Sequence, residues 1–352
     1  MNHSPMPEPI TIDSSSGGGQ MLRNAVALSA VRGRPVRVIN IRGARPQPGL
    51  RAQHLLAIQS AAEVCGARLT GAQIGSREIE FLPGEITAQT GWRLDVGTAG
   101  SVTLVLQCLL PALSHAPSDS TLTLIGGTGV PFSPPYDYFT DVFIPALAEL
   151  GPRVQPHLTM RGFYPKGGGE IMAAVTPAGI APISWMERGP IIRIRGRACS
   201  LGLPAHIAQR VRDAALRLLA LAGIPDMEIE LEVAASGRSE GCGITIWAES
   251  ERGRRFAGSA LGRRGIRAEQ VGEDAARALL AELASPAAVD THLADQLIVW
   301  LALASGTSEF TTSRITDHLR SAAQVAEAVA GAKTELREGA PALVRCQPSP
   351  VA

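Results

Sequence analysis

The stretch VRVINIRGARPQPGLRAQHLLAIQSAAEVCG, residues 36–66, changes its periodicity partway along. Its start is rich in β-branched residues and predicts a strand over 36–42, whereas apolar residues at helical spacing predict a helix over 51–66. A further strand is predicted over 77–84, where REIEFLPG ends in a turn. This order of elements indicates a sheet with a helix packed against it.

Two later parts of the chain show a strand, a helix and two more strands. These predicted elements lie, in order, at 121–127, 137–151, 153–160 and 169–177, and again at 309–312, 318–330, 332–339 and 342–347. Units of about a hundred residues typically form sheet-and-helix layers around a shared core, and not a solenoid. The expected fold class is α/β (α+β), with three β-α-β-β type repeats forming one large domain.

A section between the second and third units has its own pattern of strands and helices. Helices are predicted over 205–222 and from about 268 to 283, with strands before and between them. We therefore expect three parts, which are a mobile tail at 1–10, a large repeat-built catalytic domain at 11–183 plus 284–352, and an inserted α/β domain at 184–283.

Composition excludes several classes of protein. The 352 residues are 45% hydrophobic and 18% charged with a net charge of +1, as in a soluble globular protein. No apolar run reaches the ~20 residues that a membrane helix needs, and the start of the chain is not a secretory signal. We expect a cytoplasmic protein with no membrane partner. The cysteines are widely spaced without a CxxC pair, which predicts reduced core thiols at Cys65, Cys108, Cys199, Cys242 and Cys346.

The first unit has many arginines and few acidic residues. No Asp or Glu lies between Ser14 and Ala62, a range that contains Arg23, Arg32, Arg34, Arg37, Arg42, Arg45 and Arg51. Cations without local counterions form a surface that attracts polyanions. The alternative is that acidic residues from other parts of the fold neutralise them.

Three glycines precede the first apolar helix, in SSSGGGQ at 14–20. Glycine allows close approach of a ligand to the backbone, and a helix start offers free N–H groups, so Gly17, Gly18, Gly19 and Gln20 suit an anion. A turn that only joins a strand to a helix is the alternative. Further glycine turns at 126–137 and 161–171 favour the anion site.

The segment IRGARPQPGLRAQHL, residues 41–55, combines two arginines with an amide and an imidazole. Its prolines and glycine predict a turn that leads into a helix, with Arg42 and Arg45 on the loop and Gln53 and His54 in the first helical turns. Guanidinium groups bind phosphates through two parallel hydrogen bonds, so this group is a candidate phosphate clamp. For His54 alone, capping or packing is an equal alternative.

These stretches together resemble the RNA 3′-terminal phosphate cyclase family over nearly the whole chain. The motifs that carry the resemblance are, in order, GGGQMLR (17–23), IRGARPQPGLRAQHL (41–55), GTAGSVTLVLQCLLPAL (97–113), GGTGVPFSPPYD (126–137), RGFYPKGGGEI (161–171) and HLADQLIVWLALA (292–304). The family's three repeats and inserted domain agree with the pattern above. The broader fold also resembles enolpyruvyl transferases, but the arginine segment and HLADQL fit the cyclases better.

The resemblance implies an activity. The family uses ATP and a divalent cation, magnesium or manganese, to convert an RNA 3′-phosphate into a 2′,3′-cyclic phosphodiester, through histidyl-AMP and RNA(3′)pp(5′)A intermediates. AMP and pyrophosphate are released. The position that matches the family's nucleophile is His318, in ITDHLRS at 315–321. Without the resemblance, His318 is more typical of a capping or packed residue, with Asp317 as the helix N-cap.

The resemblance also implies roles for the other site residues. Arg23, Arg42 and Arg45 would neutralise phosphates that Gln53 and His54 orient, beside Gly18, Gly19 and Gln20. Asp295 would orient the nucleotide or His318. The adenine pocket would have Pro131 as one wall, with Gln107 and His292 also binding the nucleotide.

Three positions depart from the family pattern. Ser16 stands where a glutamate usually precedes the glycines, so the metal ligands are unknown. The aromatic residue expected before LADQL is His292. The residues after His318 are RSAAQ, at 320–324, in place of an LTN-like run.

Two alternatives remain open. The first is a catalytically silent relative that binds RNA or acts in ribosome assembly, which Ser16 and the altered run favour and His318 opposes. The second is nucleotidyl transfer to another polynucleotide end, for example a 5′-phosphate, which the same arginine segment would bind. The sequence is compatible with a homo-oligomer.

Overall fold

The protein was analysed as a computed structural model that describes residues 8–221, 223 and 226–350. It mixes helices with several small sheets, which confirms the expected α+β class. Residues 1–7 of the expected tail lie outside the described residues, and Ile10 already belongs to the first strand.

The strands are short and spread over the whole chain. They are β1 (Ile10–Asp13), β2 (Val36–Ile39), β3 (Arg68–Thr70), β4 (Ile79–Leu82), β5 (Trp92–Asp95), β6 (Ser120–Gly126), β7 (Arg153–Met160), β8 (Gly169–Thr176), β9 (Ser184–Trp185), β10 (Ile191–Leu201), β11 (Met227–Ala234), β12 (Gly241–Ser250), β13 (Arg255–Leu261), β14 (Ser308–Thr312), β15 (Lys333–Arg337) and β16 (Ala342–Gln347).

The helices lie between them. They are α1 (Gly19–Arg32), α2 (Ala52–Val64), α3 (Val102–Leu113), α4 (Tyr136–Tyr138), α5 (Ile144–Leu150), α6 (Ala205–Ala220), α7 (Ala268–Leu283), α8 (Thr291–Leu301) and α9 (Asp317–Val325), and π-helical turns at Phe139–Phe143 and Ala326–Ala330 continue α4 and α9.

Three of the sheets share one strand order. Their orders are β1-β2-β4-β3, β5-β6-β8-β7 and β9-β14-β16-β15, with the first pair parallel and the other pairs antiparallel in each. Each expected unit therefore has an additional strand at its start, and the first unit also has β3. The shared order supports the three-repeat interpretation, which stays a prediction.

The helices of these units pack against one another. Helix α1 contacts α2, α3, α8 and α9, and one continuous core of buried apolar side chains extends over all three sheets. Fully buried members such as Leu22, Phe81 and Trp300 each stabilise the fold by about 2 kcal/mol relative to exposure. This packing brings the first turns of α1, α8 and α9 close together, although they are far apart in sequence.

A fourth sheet has the order β11-β10-β12-β13, with α6 and α7 packed on it. Their buried side chains form a second apolar cluster that includes Ile194, Ile246 and Phe256. Arg188 Nη1 donates to the carbonyl oxygens of Leu283 and Ser285, at 2.9 Å each, and so joins the two ends of this segment. The boundaries 184 and 283 stay predictions.

Several predicted boundaries were wrong. The strand predicted over 36–42 ends at Ile39, because Asn40 and Arg42 have φ values of 52° and 56° and turn the chain. The helix predicted over 205–222 ends at Ala220.

Two observations address the expectations from composition. In the part of the chain that the structure describes, no helix combines the length and apolar character needed to cross a bilayer. All five cysteines are buried and free, as the sequence predicts.

Candidate functional site

The glycine turn brings α1 against the arginine segment. Helix α1 begins at Gly19, and its N-cap, Gly18, has no side chain to occupy the free N–H groups of the first turn. A Cβ on Gly19 would lie 2.0 Å from Nε2 of His54. Glycine is therefore required here for the close approach of His54 to the helix start, and not only for turning the chain.

Arg42 fixes the shape of the loop at 41–50. Its Nη1 donates to the carbonyl oxygens of Gln47 and Gly49, at 2.8 and 3.0 Å. Arg45 is exposed, and its Nη2 lies 3.4 Å from where a Cβ on Gly18 would stand. Arg42 therefore organises the loop, while the guanidinium of Arg45 remains available beside the glycine turn.

Arg23 completes the cationic group from α1, one turn after Gln20. Burial, only partly offset by Cys108 and Asp295, lowers the pKa of Arg23 to about 10, so it remains charged at neutral pH. Burial together with Arg51 and Arg45 lowers the pKa of Arg42. Like charges held this close favour the binding of an anion between them.

His54 is a neutral hydrogen-bond donor. Its side chain is buried, and its Nδ1 accepts the backbone N–H of Arg51 over 3.3 Å. Burial first, and then Arg23, Arg42 and Arg51, lower the pKa of His54 to about 3. The proton of the neutral ring is therefore on Nε2, the atom that faces Gly19.

Gln53 links this group to the next unit. Its Oε1 accepts the backbone N–H of Ser101 over 2.7 Å, and Ser101 is the N-cap of α3. The side-chain amide of Gln53 thus has only its N–H groups left for a ligand.

His318 meets α1 at the predicted site. Its Nδ1 lies 2.6 Å from Oε1 of Gln20, whose Nε2 donates to Oδ2 of Asp295 over 2.5 Å. Because the oxygen of an amide only accepts, Nδ1 of His318 carries the proton and Nε2 keeps a free lone pair. Partial burial, Arg45 and Arg23 lower the pKa of His318, so the ring is neutral at neutral pH.

The structure contradicts the capping alternative for this region. The N-cap of α9 is Thr316, whose Oγ1 accepts the N–H of Leu319 over 3.1 Å, so Asp317 is not the cap. His318 lies in the first turn of α9 and is exposed. Its partner is Gln20, which is 298 positions away, and not its own helix.

Asp295 and Asp290 are two carboxyl groups in the first part of α8. Burial, and then Asp290, raise the pKa of Asp295 to about 7. Asp290 caps the helix by accepting the N–H groups of His292 and Leu293, and it also accepts the hydroxyl of Tyr138 over 2.9 Å. This cap was not predicted from the sequence, although an Asp directly before an apolar helix is its usual signal.

Gln107 on α3 and His292 on α8 are linked through a third residue, Gln296. Gln107 Nε2 donates to Oε1 of Gln296 over 2.5 Å, and Gln296 Nε2 donates to the carbonyl of His292 over 2.6 Å. The imidazole of His292 is exposed, and its edge meets the ring of Tyr138 with 6.4 Å between centroids.

Pro131 is exposed in the loop that follows β6. In the same loop, the backbone carbonyl oxygen of Pro134 accepts a hydrogen bond from Oγ1 of Thr103, one turn before Gln107. The role of Pro131 as one wall of the adenine pocket stays a prediction.

The described residues do not include a metal centre made by the protein. They contain no group of three His, Cys, Asp or Glu side chains placed to hold an ion. Ser16, which replaces the expected glutamate, is exposed and offers no carboxylate. Carboxylates are the ligands that magnesium usually takes from a protein, so these residues do not fit a cation held by side chains alone.

The outcome for the seven arginines is mixed. Arg37 forms an ion pair with Glu78. This agrees with the alternative that acidic residues from other parts of the fold neutralise the arginines. Arg32 instead donates to the carbonyl oxygens of Ala302 and Ser349, and Arg34 donates to that of Val329. Within the described residues, no ion pair neutralises the four arginines around the glycine turn and the arginine segment, which are Arg23, Arg42, Arg45 and Arg51.

The fold and site define a class of protein that handles phosphate groups. An arginine-lined helix start, a neutral donor histidine and a second histidine with a free ring nitrogen lie together where three sheet-and-helix layers meet.

Comparison with known proteins gives the family. Residues 14–336 match the family described as RNA 3′-terminal phosphate cyclase. Curated proteins of that name include one from Archaeoglobus fulgidus, 46% identical over 90% of this chain and 94% of its own, and one from Pyrococcus furiosus, 43% identical over 94% and 96%. The chain belongs to the RNA 3′-terminal phosphate cyclase family and is an enzyme of that class.

A solved structure was also compared. The enolpyruvyl transferase NikO from Streptomyces tendae covers 96% of this chain and 65% of its own with a TM-score of 0.27 and 10% identity. That score is too low to relate the two folds.

Proposed function

We propose that this enzyme converts an RNA 3′-phosphate to a 2′,3′-cyclic phosphodiester with ATP, through AMP bound covalently to His318. The observation that carries the proposal is the hydrogen-bonded series from His318 to Gln20 to Asp295. It leaves Nε2 of a neutral imidazole unoccupied beside Arg45 and Arg23. A neutral imidazole nitrogen with a free lone pair is a competent nucleophile toward phosphorus.

The first step forms a bond between Nε2 of His318 and the α-phosphorus of ATP. The bond from that phosphorus to the bridging oxygen breaks, and pyrophosphate leaves with the electron pair. The ring then carries positive charge, which the amide oxygen of Gln20 stabilises by accepting the Nδ1 proton. Arg23, Arg42 and Arg45 would stabilise the negative charge that develops on the phosphates.

The second and third steps move AMP to the RNA and then release it. An oxygen of the RNA 3′-phosphate attacks the adenylate phosphorus, and the P–N bond to His318 breaks to give RNA(3′)pp(5′)A. The neighbouring 2′-hydroxyl then attacks the 3′-phosphorus, loses its proton, and displaces AMP. Since hydroxyl and phosphorus belong to one nucleotide, proximity supplies much of this last step.

His54, Gln53 and the free N–H groups of the first turn of α1 would orient these phosphates. His54 offers Nε2–H and Gln53 offers its amide N–H groups, so both act as neutral donors beside the arginines. The adenine base would lie between Pro131 and His292, with Gln107 at its edge. A divalent cation, magnesium or manganese, would be held mainly by the phosphates of ATP, where it would offset their charge.

The decisive experiment follows label from ATP onto the protein. The purified protein is incubated with ATP labelled at the α-phosphorus and a divalent cation, then denatured. We expect label that survives base and is lost in acid, and that is absent from His318→Ala. His206→Ala, which removes an exposed histidine on α6, is the matched control and should label like the parent.

Addition of an RNA with a 3′-phosphate to the labelled protein should then discharge AMP and give a cyclic end. If the parent protein takes no label with either metal while it still binds RNA, the covalent chemistry is wrong, and the silent RNA-binding alternative replaces it. Discharge by a 5′-phosphate end, but not by a 3′-phosphate end, would support the transferase alternative.

A further inference from the structure

Two aromatic side chains on neighbouring loops are strongly exposed. Phe132 is 97% exposed and has a φ of 63°, a backbone conformation that bulky residues rarely adopt. Tyr164 is 68% exposed. An apolar ring that is held outside the core at a conformational cost points to a ligand, since it contributes almost nothing to the core.

The two loops lie side by side. The N–H groups of Thr128 and Gly129 both donate to the carbonyl of Gly162, at 2.9 and 3.1 Å. These contacts hold the loop that carries Phe132 against the loop that carries Tyr164. The two exposed rings are therefore carried by loops that border each other.

The surface that these loops form continues into the phosphate site. The N–H of Gly127 donates to the carbonyl of Gly100. Ser101, which follows Gly100, donates its backbone N–H to the side-chain oxygen of Gln53. On the loop that carries Tyr164, Gly167 lies close to Ala99. A Cβ added to Gly167 would lie 2.7 Å from the Cα of Ala99. The aromatic loops thus border the segment that contacts Gln53, the neighbour of His54.

Two exposed cations lie at this surface, Lys166 on the loop of Tyr164 and Arg238 on the loop between β11 and β12. Lys166 and Arg238 are exposed, form no ion pair among the described residues, and flank Gly168, on which Arg238 packs. Of the acidic residues near these cations, Glu170 forms an ion pair with Arg93, and Glu240 is exposed. Aromatic rings interleaved with cations are the combination that binds single-stranded nucleic acid.

We propose that Phe132 and Tyr164 stack on unpaired bases of the RNA a few nucleotides before its reacting end, while Lys166 and Arg238 bind the intervening phosphates. Sequence-tolerant recognition of RNA ends commonly uses stacking of exposed bases on aromatic side chains. This proposal rests on the proposed function, because that function places the RNA 3′-phosphate at the arginine segment. The occupant is single-stranded RNA.

The proposal is tested by combining a change of the Phe132 ring with removal of single RNA bases and measuring whether the two effects on Kd are coupled. Fluorescence anisotropy gives the Kd of fluorescein-labelled RNAs that end in a 3′-phosphate, with single abasic sites at the second, third or fourth nucleotide from that end. We expect Phe132→Asn to raise Kd about 5- to 100-fold, as loss of one stacked base does. One abasic position should have a similar effect, and the two changes together should cost little more than either alone.

The chain offers matched controls. Phe132→Asn is compatible with a positive φ, so folding is retained and melting temperature verifies it. Phe132→Trp should restore tight binding. Leu221→Ala, which removes another strongly exposed apolar side chain at the far end of α6, should leave Kd unchanged.

The two lysines of the chain test the charges. Lys166→Ala should reduce the slope of log Kd against log salt by about 0.7, the value for one phosphate contact on a single strand. Lys333→Ala, on the exposed side of β15, should not change the slope.

Other results would overturn the proposal. One such result is an unchanged RNA affinity in Phe132→Asn. A second is that the increases in Kd from Phe132→Asn and from the abasic site multiply when the two changes are combined. A third is weaker ATP binding in Phe132→Asn, which would place adenine on the ring. Unchanged RNA affinity would leave the surface to a protein partner. The binding measurements contain no ATP, so they do not depend on the proposed chemistry. If the parent protein binds RNA through Phe132 but takes no label from ATP, the proposed chemistry is refuted and this inference still holds.

Discussion

At the scale of single residues, Gln20 determines which nitrogen of His318 can react. Its amide oxygen holds the Nδ1 proton, and its amide nitrogen is held in turn by Asp295. We expect Gln20→Ala to slow the labelling of the protein by ATP at least about 10-fold, because the ring loses its orientation and its fixed tautomer. Single-turnover labelling measures this rate. Gln59→Ala, on the exposed face of α2, is the control.

The pH dependence of labelling separates positioning from simple loss of structure. Because the pKa of His318 is lowered, the nucleophile stays neutral within the usual imidazole range, and labelling is lost only as the pH falls through that lowered pKa. In Gln20→Glu a carboxylate faces the ring and favours its charged form. The acid limb of the profile should therefore move to higher pH, and an unmoved limb would contradict the assignment.

At the scale of secondary structure elements, the contact between the starts of α1 and α2 requires a glycine. In Gly19→Ala the new methyl group would overlap Nε2 of His54, and overpacking of this kind costs about 1–3 kcal/mol. We expect a lower melting temperature and at least about 10-fold slower labelling, because His54 must leave the phosphate site.

Gly179→Ala is the control for that substitution, since a Cβ there meets nothing within 4 Å. Gly19→Ala activity equal to that of the parent would show that His54 does not act at the helix start.

The elements also show what the sequence could predict. The glycine turn, the arginine segment and the helix at His318 follow from local patterns and from the family motifs. Strand β9 has only two residues and exists because it pairs with β14, so no periodicity could reveal it. The bond from Gln20 to His318 depends on packing between distant helices, which sequence patterns do not encode.

At the scale of the whole molecule, a buried ionic network joins the fourth sheet to the rest of the protein. The carboxylate of Asp137, 2% exposed, accepts two bonds of 2.8 Å from Arg161 and one of 2.6 Å from Arg197 on β10. Arg161 also holds Glu232 on β11. Burial opposes ionisation, but these arginines still lower the pKa of Asp137.

Arg161→Met should therefore destabilise the protein by about 3–5 kcal/mol, since it leaves the buried carboxylate of Asp137 with fewer partners. Urea unfolding followed by fluorescence measures the loss. Arg195→Met breaks an ion pair with the exposed Asp226 and should not shift the midpoint resolvably. Equal shifts in the two variants would mean that the network adds nothing beyond a surface pair.

The hydrogen bonds from Arg188 to the carbonyls of Leu283 and Ser285 have a consequence for protein engineering. They place the two ends of a segment of about a hundred residues side by side, so a short turn can replace the segment without stretching the chain on either side. Such a shortened chain would need Asp137 and Arg161 replaced together by apolar residues, because the cut removes Arg197 and Glu232. The same junction is a natural position at which to graft a foreign domain or a fluorescent reporter.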